Sequence, residues 1–264
     1  MYKVLIYIVI ILPAVLVGIG IALYLFQEKL VFSPDKLSPK FKFNFECEFD
    51  ELSYTTDDGN VINAIHFKAP NSKGIVFYQH GNAGSLETWG ERSVDFVTEN
   101  YDVLMYDYRG FGKSTGSIKN EKMLYNDALM IYKKLLYDYK ERDIVVYGMS
   151  LGTGIAAKLA YDNNPKMLVL ETPYFNFNDV AKYHYPYFPH YILLHYQFKT
   201  NKLLPTLSMP VYLFHGTEDE TVPYNSSERL LALSDNITLF TINDGSHNNL
   251  NTFHDYHDGL KKIL

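Results

Sequence analysis

A serine between two glycines, directly after a run of apolar residues, is the part of this sequence with the clearest chemistry. The pentapeptide from Gly148 to Gly152 has Ser150 at its centre, and it follows the apolar run 144–147. A serine on a sharp turn between a strand and a helix presents its hydroxyl as a nucleophile, and glycines flank it because a Cβ at either position would collide with its neighbours. We therefore predict that Ser150 is a nucleophile at the end of a strand.

Attack by a serine on a carbonyl group needs hydrogen-bond donors for the oxygen that becomes negative. Two backbone N–H groups usually serve, one from the residue after the serine and one from a loop after an earlier strand. Leu151 follows the serine, and the loop His-Gly-Asn-Ala-Gly at 80–84 follows the apolar run 74–79. We predict that Leu151 and Asn82 form the oxyanion hole, and we assign His80 a structural role in the loop.

A serine nucleophile also needs a base and an acid that orients the base. His247 lies in a Gly-Ser loop after the apolar run 237–242, and it completes the chain order serine, acid, histidine. Three carboxylates, Glu218, Asp219 and Glu220, follow the apolar run 211–214. Spacing alone does not choose among these three residues.

The elements that must position these side chains are short buried strands alternating with helices. This alternation is typical of a mostly parallel sheet covered on both faces, in which sites form at the carboxyl ends of the strands. The predicted strands are 74–79, 102–106, 144–147, 167–170, 211–214 and 237–242, after an edge-type strand at 61–67. The predicted helices are 86–98, 121–139, 151–161 and 226–233.

The motifs together resemble those of the α/β-hydrolase superfamily. The resemblance rests on the segments 80–84, 107–114, 148–152, 215–223 and 245–247, and it extends over about 27–264. It is nearest to the small membrane-anchored branch that is similar to serine-aminopeptidase-like and depalmitoylating hydrolases. The resemblance implies the α/β-hydrolase fold, an acyl-enzyme mechanism and a catalytic triad of Ser150, Asp219 and His247. The choice of Asp219 as the acid follows from its position in the family pattern.

The N-terminal segment is apolar enough to cross a membrane. The run from Val4 to Phe26 would form a helix of roughly 34 Å at about 1.5 Å per residue. A cleaved signal peptide is the alternative, but the run is long for one and ends in a poor cleavage site. We predict a single-pass membrane anchor at 1–27, a juxtamembrane linker at 28–48 and a hydrolase domain at 49–264. The flanking lysines leave the side of the membrane undecided.

An aromatic insertion at 172–209 lies between two predicted strands, where α/β hydrolases carry a cap over the pocket. It is rich in Tyr and Phe, including Tyr187 and Phe188. Ordinary packing of a short cap would explain these residues. An acyl pocket, or contact with lipid headgroups, would explain them as well.

Composition excludes several other classes of function. Apolar residues make up 47% of the 264 residues, so the chain is globular. The net charge is −6 and no basic stripe is present, so we expect no nucleic-acid partner. Cys47 is the single cysteine, which excludes an internal disulfide and a Cys-rich zinc site. We expect neither a metal nor an organic cofactor.

The sequence as a whole predicts a membrane-anchored serine hydrolase that cleaves carboxylic esters or thioesters of small or lipid-like acyl substrates. A serine peptidase acting on small peptides would use the same triad. A non-catalytic receptor with a hydrolase-like fold is a further alternative, although no residue of the triad is missing.

Overall fold

The computed structural model describes residues 2–186 and 189–264, and it consists of one long helix followed by an α/β domain. Tyr187 and Phe188, which the sequence analysis singled out in the cap, lie outside the described residues. The long helix, α1, spans Tyr2–Val31.

The domain is built on an eight-stranded sheet. The sheet strands are β2 Phe49–Thr55, β3 Val61–Phe67, β4 Ile75–Gln79, β6 Asp102–Tyr106, β7 Ile144–Met149, β8 Met167–Glu171, β9 Val211–Gly216 and β10 Ile237–Ile242. Their order across the sheet is β10-β9-β8-β7-β4-β6-β3-β2. All pairs from β10 to β6 are parallel, whereas β3 pairs antiparallel with β6, and β2 pairs antiparallel with β3 at the edge. Two short strands, β1 Ser33–Pro34 and β5 Ala83–Gly84, form a separate parallel pair.

Helices cover both faces of this sheet, because each face carries its own apolar core. One core joins the sheet to the helices at 121–135 and 152–162, through residues such as Ile131 and Ile155. The other joins the opposite face to the helices at 86–89, 94–97 and 254–263, through residues such as Phe96 and Leu260. The helices of the domain are α2 Leu86–Trp89, α3 Val94–Val97, α4 Glu121–Leu135, α5 Gly152–Asp162, α6 Phe177–His184, α7 His190–Leu193, α8 Thr200–Leu203, α9 Asn225–Leu231 and α10 His254–Ile263. The predicted two-faced, mostly parallel architecture is confirmed.

The predicted helix 86–98 is interrupted. Residues Gly90–Ser93 form a 3-10 turn between α2 and α3. Gly90 packs directly against the Phe45 ring, and a Cβ at this position would come within 2.4 Å of it. The glycine at this position therefore allows close contact with Phe45, which is distant in the sequence.

The segment 28–48, which the sequence analysis assigned to a juxtamembrane linker, makes contacts with the domain. Helix α1 continues through Val31, and β1 then pairs with β5, which is part of the predicted oxyanion loop 80–84. Phe43 and Phe45 stack on each other, and Phe45 also contacts Phe67 of β3. The aromatic side chains hold this segment on the domain because they bury apolar surface there.

Helix α1 includes a stretch that is long and apolar enough to cross a bilayer. This stretch, Pro13–Val31, has a mean hydropathy of 1.7, and only 6% of it is buried against the rest of the protein. Large apolar side chains such as Leu25 and Phe26 are exposed along it. A helix that leaves so many apolar side chains uncovered has the character of a membrane segment more than of a core helix.

Candidate active site

Ser150 lies in a strained turn between β7 and α5. Its φ angle is 50°, in the left-handed region that residues with a Cβ seldom adopt. The turn is possible only because its neighbours are small: a Cβ on Gly148 would lie 2.5 Å from the Gly152 carbonyl oxygen, and one on Gly152 would lie 2.1 Å from that of Gln79. The backbone N–H of Ser150 donates to the Glu171 carbonyl of β8 at 2.9 Å, which fixes the turn to the sheet.

His247 brings its ring to the hydroxyl of this serine. The His247 Nε2 atom lies 2.8 Å from Ser150 Oγ, and its Nδ1 atom lies 2.8 Å from Asp219 Oδ2. Because the carboxylate can only accept, Nδ1 carries the ring proton and Nε2 is left to accept from the serine hydroxyl. The arrangement is that of a base ready to take the serine proton.

Asp219 is the carboxylate that reaches His247, and its two neighbours do not. The Asp219 side chain is fully buried, whereas Glu218 and Glu220 are exposed. Its Oδ1 atom accepts the backbone N–H groups of Thr221 and Val222, each at 2.8 Å. Burial by itself raises the pKa of Asp219, but its hydrogen bonds outweigh burial and hold the pKa well below its ordinary value. Asp219 is therefore ionised at neutral pH and can accept the hydrogen bond from His247.

The largest contribution to that lowered pKa comes from His215, which the sequence analysis did not assign. Its Nε2 atom lies 3.1 Å from Asp219 Oδ2 and 2.9 Å from the Val222 carbonyl oxygen. Both partners are acceptors, so Nε2 is the protonated nitrogen, and Nδ1 accepts from the Ser227 hydroxyl at 2.7 Å. The signal for this role in the sequence was the position of His215, directly after the apolar run 211–214 and shortly before the acidic residues 218–220.

The structure places Asn82, Ser150 and Leu151 around one cavity. Within the described chain, neither the Asn82 nor the Leu151 backbone N–H donates to a protein acceptor. The side-chain amide of Asn82 points elsewhere and donates to the Val31 carbonyl oxygen at 2.6 Å. The Tyr174 hydroxyl donates to the Leu151 carbonyl at 3.0 Å, which supports the backbone beside the serine.

The cavity above Ser150 has a volume of about 270 Å³ and is mainly apolar. Its walls come from α6 of the cap and, unexpectedly, from the end of α1. The α6 residues are Phe177, Val180, Ala181 and His184, and the α1 residues are Leu23, Gln27, Leu30 and Val31. No described residue that lines it is an Asp, Glu, Lys or Arg. The site therefore fits an uncharged, largely apolar group beside the serine.

His80, the first residue of the predicted oxyanion loop, is buried beside Asp107. His80 Nδ1 interacts with the Gly81 carbonyl oxygen at 2.7 Å, and its ring packs on that of Tyr108. Asp107 Oδ1 accepts the Leu86 N–H at 3.0 Å. These contacts hold the backbone of the loop and lie away from the cavity.

Comparisons with known proteins identify chains that are similar in sequence and in fold. The model of the serine aminopeptidase S33 family matches residues 70–193, a range that contains Asn82, Ser150 and Leu151. Solved structures with the same architecture are α/β hydrolases: a Pyrococcus furiosus esterase has a TM-score of 0.68 at 19% identity and covers 89% of this chain and 97% of its own. An α/β hydrolase from Vibrio vulnificus has a TM-score of 0.69 at 22% identity, covering 82% of this chain and 81% of its own. These structural neighbours show that the chain has the α/β-hydrolase fold.

Curated relatives of this chain include lipases. Lysophosphatidylserine lipase ABHD12 of Macaca fascicularis is 28% identical over 186 residues, covering 62% of this chain and 46% of the lipase. The Mycobacterium tuberculosis protein MT2364 is 32% identical over 183 residues, covering 67% of this chain and 64% of its own. The chain thus matches just under half of the length of the lipase. The fold and these relatives support a hydrolase.

Proposed function

We propose that the protein is a membrane-anchored serine hydrolase that cleaves carboxylic ester or thioester bonds through an acyl-enzyme. The observation that carries this proposal is the continuous hydrogen-bonded series from Ser150 Oγ to His247 and on to Asp219. Three such groups in this order activate a serine for attack on a carbonyl.

In the proposed reaction, His247 Nε2 takes the proton of Ser150 as Oγ bonds to the carbonyl carbon. The carbonyl oxygen becomes negative and accepts hydrogen bonds from the N–H groups of Leu151 and Asn82. His247 then gives its proton to the leaving alcohol or thiol, and the ester bond breaks. Water, deprotonated by His247, attacks the acyl-enzyme and releases the acid and free Ser150. Asp219 holds the imidazole in the required tautomer and stabilises the imidazolium.

The lining of the cavity favours an acyl ester over a peptide. An aminopeptidase has to bind the α-ammonium group of its substrate, and a desolvated cation needs an anionic or strongly polar partner. No described residue that lines the cavity carries a carboxylate, and the nearby Asp219 side chain is fully buried against His247. An ester with an apolar acyl chain leaves no charge unpaired in this site. The peptidase alternative is kept because the matching family model is described as a serine aminopeptidase.

The position of α1 supports a lipid-like substrate and a place at the membrane. Its apolar stretch suits a membrane span, and its end is part of the cavity wall. One relative is a lysophosphatidylserine lipase, an enzyme named for a lipid substrate. We therefore propose lipid-like acyl esters as the substrate class.

The proposal is tested with a fluorophosphonate probe and with p-nitrophenyl esters of increasing chain length, using the full chain in detergent. The probe should label the wild type, and Ser150→Ala should abolish both labelling and hydrolysis while the circular dichroism spectrum is unchanged. Ser246→Ala, a change of the same kind beside His247, is the control and should still be labelled. Efficient cleavage of aminoacyl-naphthylamides with no ester cleavage would favour the peptidase instead.

A further inference from the structure

Helix α1 carries a second apolar cavity, one or two turns before the end that lines the active-site cavity. This groove has a volume of about 570 Å³. It is lined on α1 by Leu16, Val17, Gly20, Ile21 and Tyr24, and on the opposite side by Leu193 of α7. Apart from the Tyr24 ring, every one of these side chains is aliphatic or absent.

Leu193 is a wall of both cavities. It lines the groove on one side and the cavity that contains Ser150 on the other. The residues of α1 that line the two cavities recur every three or four positions, from Leu16 through Gly20 and Leu23 to Gln27 and Leu30. This spacing is one face of a helix. The two cavities therefore follow a single face of α1 toward Ser150.

Gln27 attaches this face to the cap. Its side chain is 5% exposed, its Nε2 atom donates to the Leu193 carbonyl at 3.1 Å, and its Oε1 atom accepts the His195 N–H at 2.7 Å. The Tyr24 ring also packs edge-on against that of His195, with centroids 4.2 Å apart. The groove is thus a built feature, with its two walls joined by hydrogen bonds at the end nearest the serine.

The position of the groove identifies its occupant. Its α1 residues lie within the apolar run 4–26, which the proposed anchor places in the bilayer, and Gln27 is the first polar side chain after that run. Gly20 is about 10 Å before Gln27 along the helix axis at 1.5 Å per residue. At this depth the surroundings are lipid hydrocarbon, and an open groove there receives acyl chains.

We infer that the acyl chain of the substrate reaches Ser150 from the bilayer along the groove between α1 and α7, so that α1 is a wall of the substrate site as well as an anchor. This inference rests on the proposed function and narrows it to long-chain acyl esters whose chain stays in the membrane. The absence of a side chain at Gly20 keeps the groove open: a Cβ there would lie 3.6 Å from Leu193 Cδ1, so a larger side chain would fill the space.

The test compares Gly20→Phe with Gly18→Phe. Gly18 is on the other side of α1, and a Cβ there would meet nothing within 4 Å. The full-length proteins are reconstituted in vesicles of diether phosphatidylcholine, which has no ester bond, and assayed with p-nitrophenyl palmitate and p-nitrophenyl acetate. Gly20→Phe should lower kcat/KM for the palmitate about tenfold or more, because the ring would fill the space beside Leu193 and block the path of the acyl chain to Ser150, and change that for the acetate less than about twofold. Gly18→Phe should leave both rates within about twofold of the wild type.

Equal palmitate hydrolysis by Gly20→Phe and the wild type would overturn the inference, and so would an equal loss on both esters. Val17→Trp, at a groove residue that does not line the cavity above Ser150, is the second variant in case the first fails to fold, with the same expected selectivity. Fluorophosphonate labelling of Ser150 reports an intact site in each variant. If the wild type cleaves neither ester and is not labelled, the proposed function itself is wrong. If it cleaves both and Gly20→Phe leaves their ratio unchanged, only the route along α1 is wrong.

Discussion

The side-chain amide of Asn82 donates a 2.6 Å hydrogen bond to the backbone carbonyl of Val31, the last residue of α1. In return, the Asn82 carbonyl oxygen accepts the Ser33 N–H at 2.9 Å. These two bonds connect the proposed oxyanion loop to the end of the helix that we propose to span the membrane and to the strand β1 that follows it. The sequence analysis treated anchor and catalytic domain as separate parts, and this contact joins them.

Loss of this amide should loosen the proposed oxyanion donor without removing it. Asn82→Ala keeps the backbone N–H of residue 82 but loses the bond to Val31. We expect kcat on an acetyl ester to fall about three- to tenfold with little change in KM, because one hydrogen bond contributes about 0.5–1.5 kcal/mol. Asn71→Ala, the same change at an exposed position before β4, is the control. A raised KM with an unchanged kcat would contradict a role in stabilising the transition state.

Asp219 should matter far more than the two acidic residues beside it. Asp219→Asn should reduce kcat by about 10⁴, because the wrong imidazole tautomer is then stabilised. Glu218→Gln and Glu220→Gln remove the same charge from exposed side chains and should change kcat less than about threefold. These three variants are compared at saturating p-nitrophenyl acetate. A crippled Glu218→Gln with an active Asp219→Asn would reassign the acid.

The sequence was sufficient for the parts of this site that depend on strand ends. Ser150 and His247 occupy turns whose glycines and small residues mark them, and the alternation of strands and helices identified the sheet. It was insufficient where the contact is between distant segments. Gln27 reads locally as the end of an apolar run, and its bond to Leu193 joins residues 166 positions apart. Likewise, the contact of His215 with Asp219 becomes evident only from the structure.

His215 is predicted to be a positioning residue for Asp219. His215→Leu removes the hydrogen bond that contributes most to lowering the pKa of Asp219, so burial should then bring that pKa back up. A carboxylate with a raised pKa is protonated at higher pH, so the variant should lose more activity at pH 5 than at pH 8. His215→Gln, whose amide can still donate to Asp219, should recover most of the loss. A uniform loss at all pH values, with no recovery by Gln, would indicate only a structural role.

Asp107 and His80 predict a pH dependence of stability. Burial raises the pKa of Asp107 to about 8 and lowers the pKa of His80 to about 4. Between about pH 4 and 6.5, the pair holds one proton in both states, on Asp107 in the native protein and on His80 in the unfolded chain, so its contribution to the free energy of unfolding is constant. From about pH 6.5 to 8, Asp107 keeps its proton in the native protein while both groups are deprotonated in the unfolded chain. The contribution of the pair to the free energy of unfolding therefore falls as the pH rises. The fall is about 2 kcal/mol at about 1.4 kcal/mol per unit.

Asp107→Asn should remove that part of the pH dependence. The amide oxygen can still accept the Leu86 N–H, and the neutral side chain has no proton to lose. Thermal unfolding of the full chain in detergent, measured at pH 6.5 and 8.0, should show a smaller decrease in Tm for the variant than for the wild type. Asp57→Asn, at an exposed position, should behave as the wild type does. An identical decrease in all three proteins would show that Asp107 is ionised throughout the range.

Gln27 should determine whether α1 and the cap behave as one unit. Gln27→Ala leaves the Leu193 carbonyl and the His195 N–H without their partner, and each buried group left unpaired costs about 1–3 kcal/mol. We expect a lower Tm and faster proteolysis within the cap, because its contact with α1 is weakened. The kcat/KM should fall more for long-chain esters than for acetyl esters, because the cap and α1 are opposite walls of the acyl site, while Ser150, His247 and Asp219 follow the ends of strands.

Lys29→Ala, on an exposed side of the same helix, is the control for Gln27→Ala. If Gln27→Ala lowered the Tm but left the ratio of palmitate to acetate rates unchanged, the contact would serve stability alone, and the acyl chain would have to bind elsewhere.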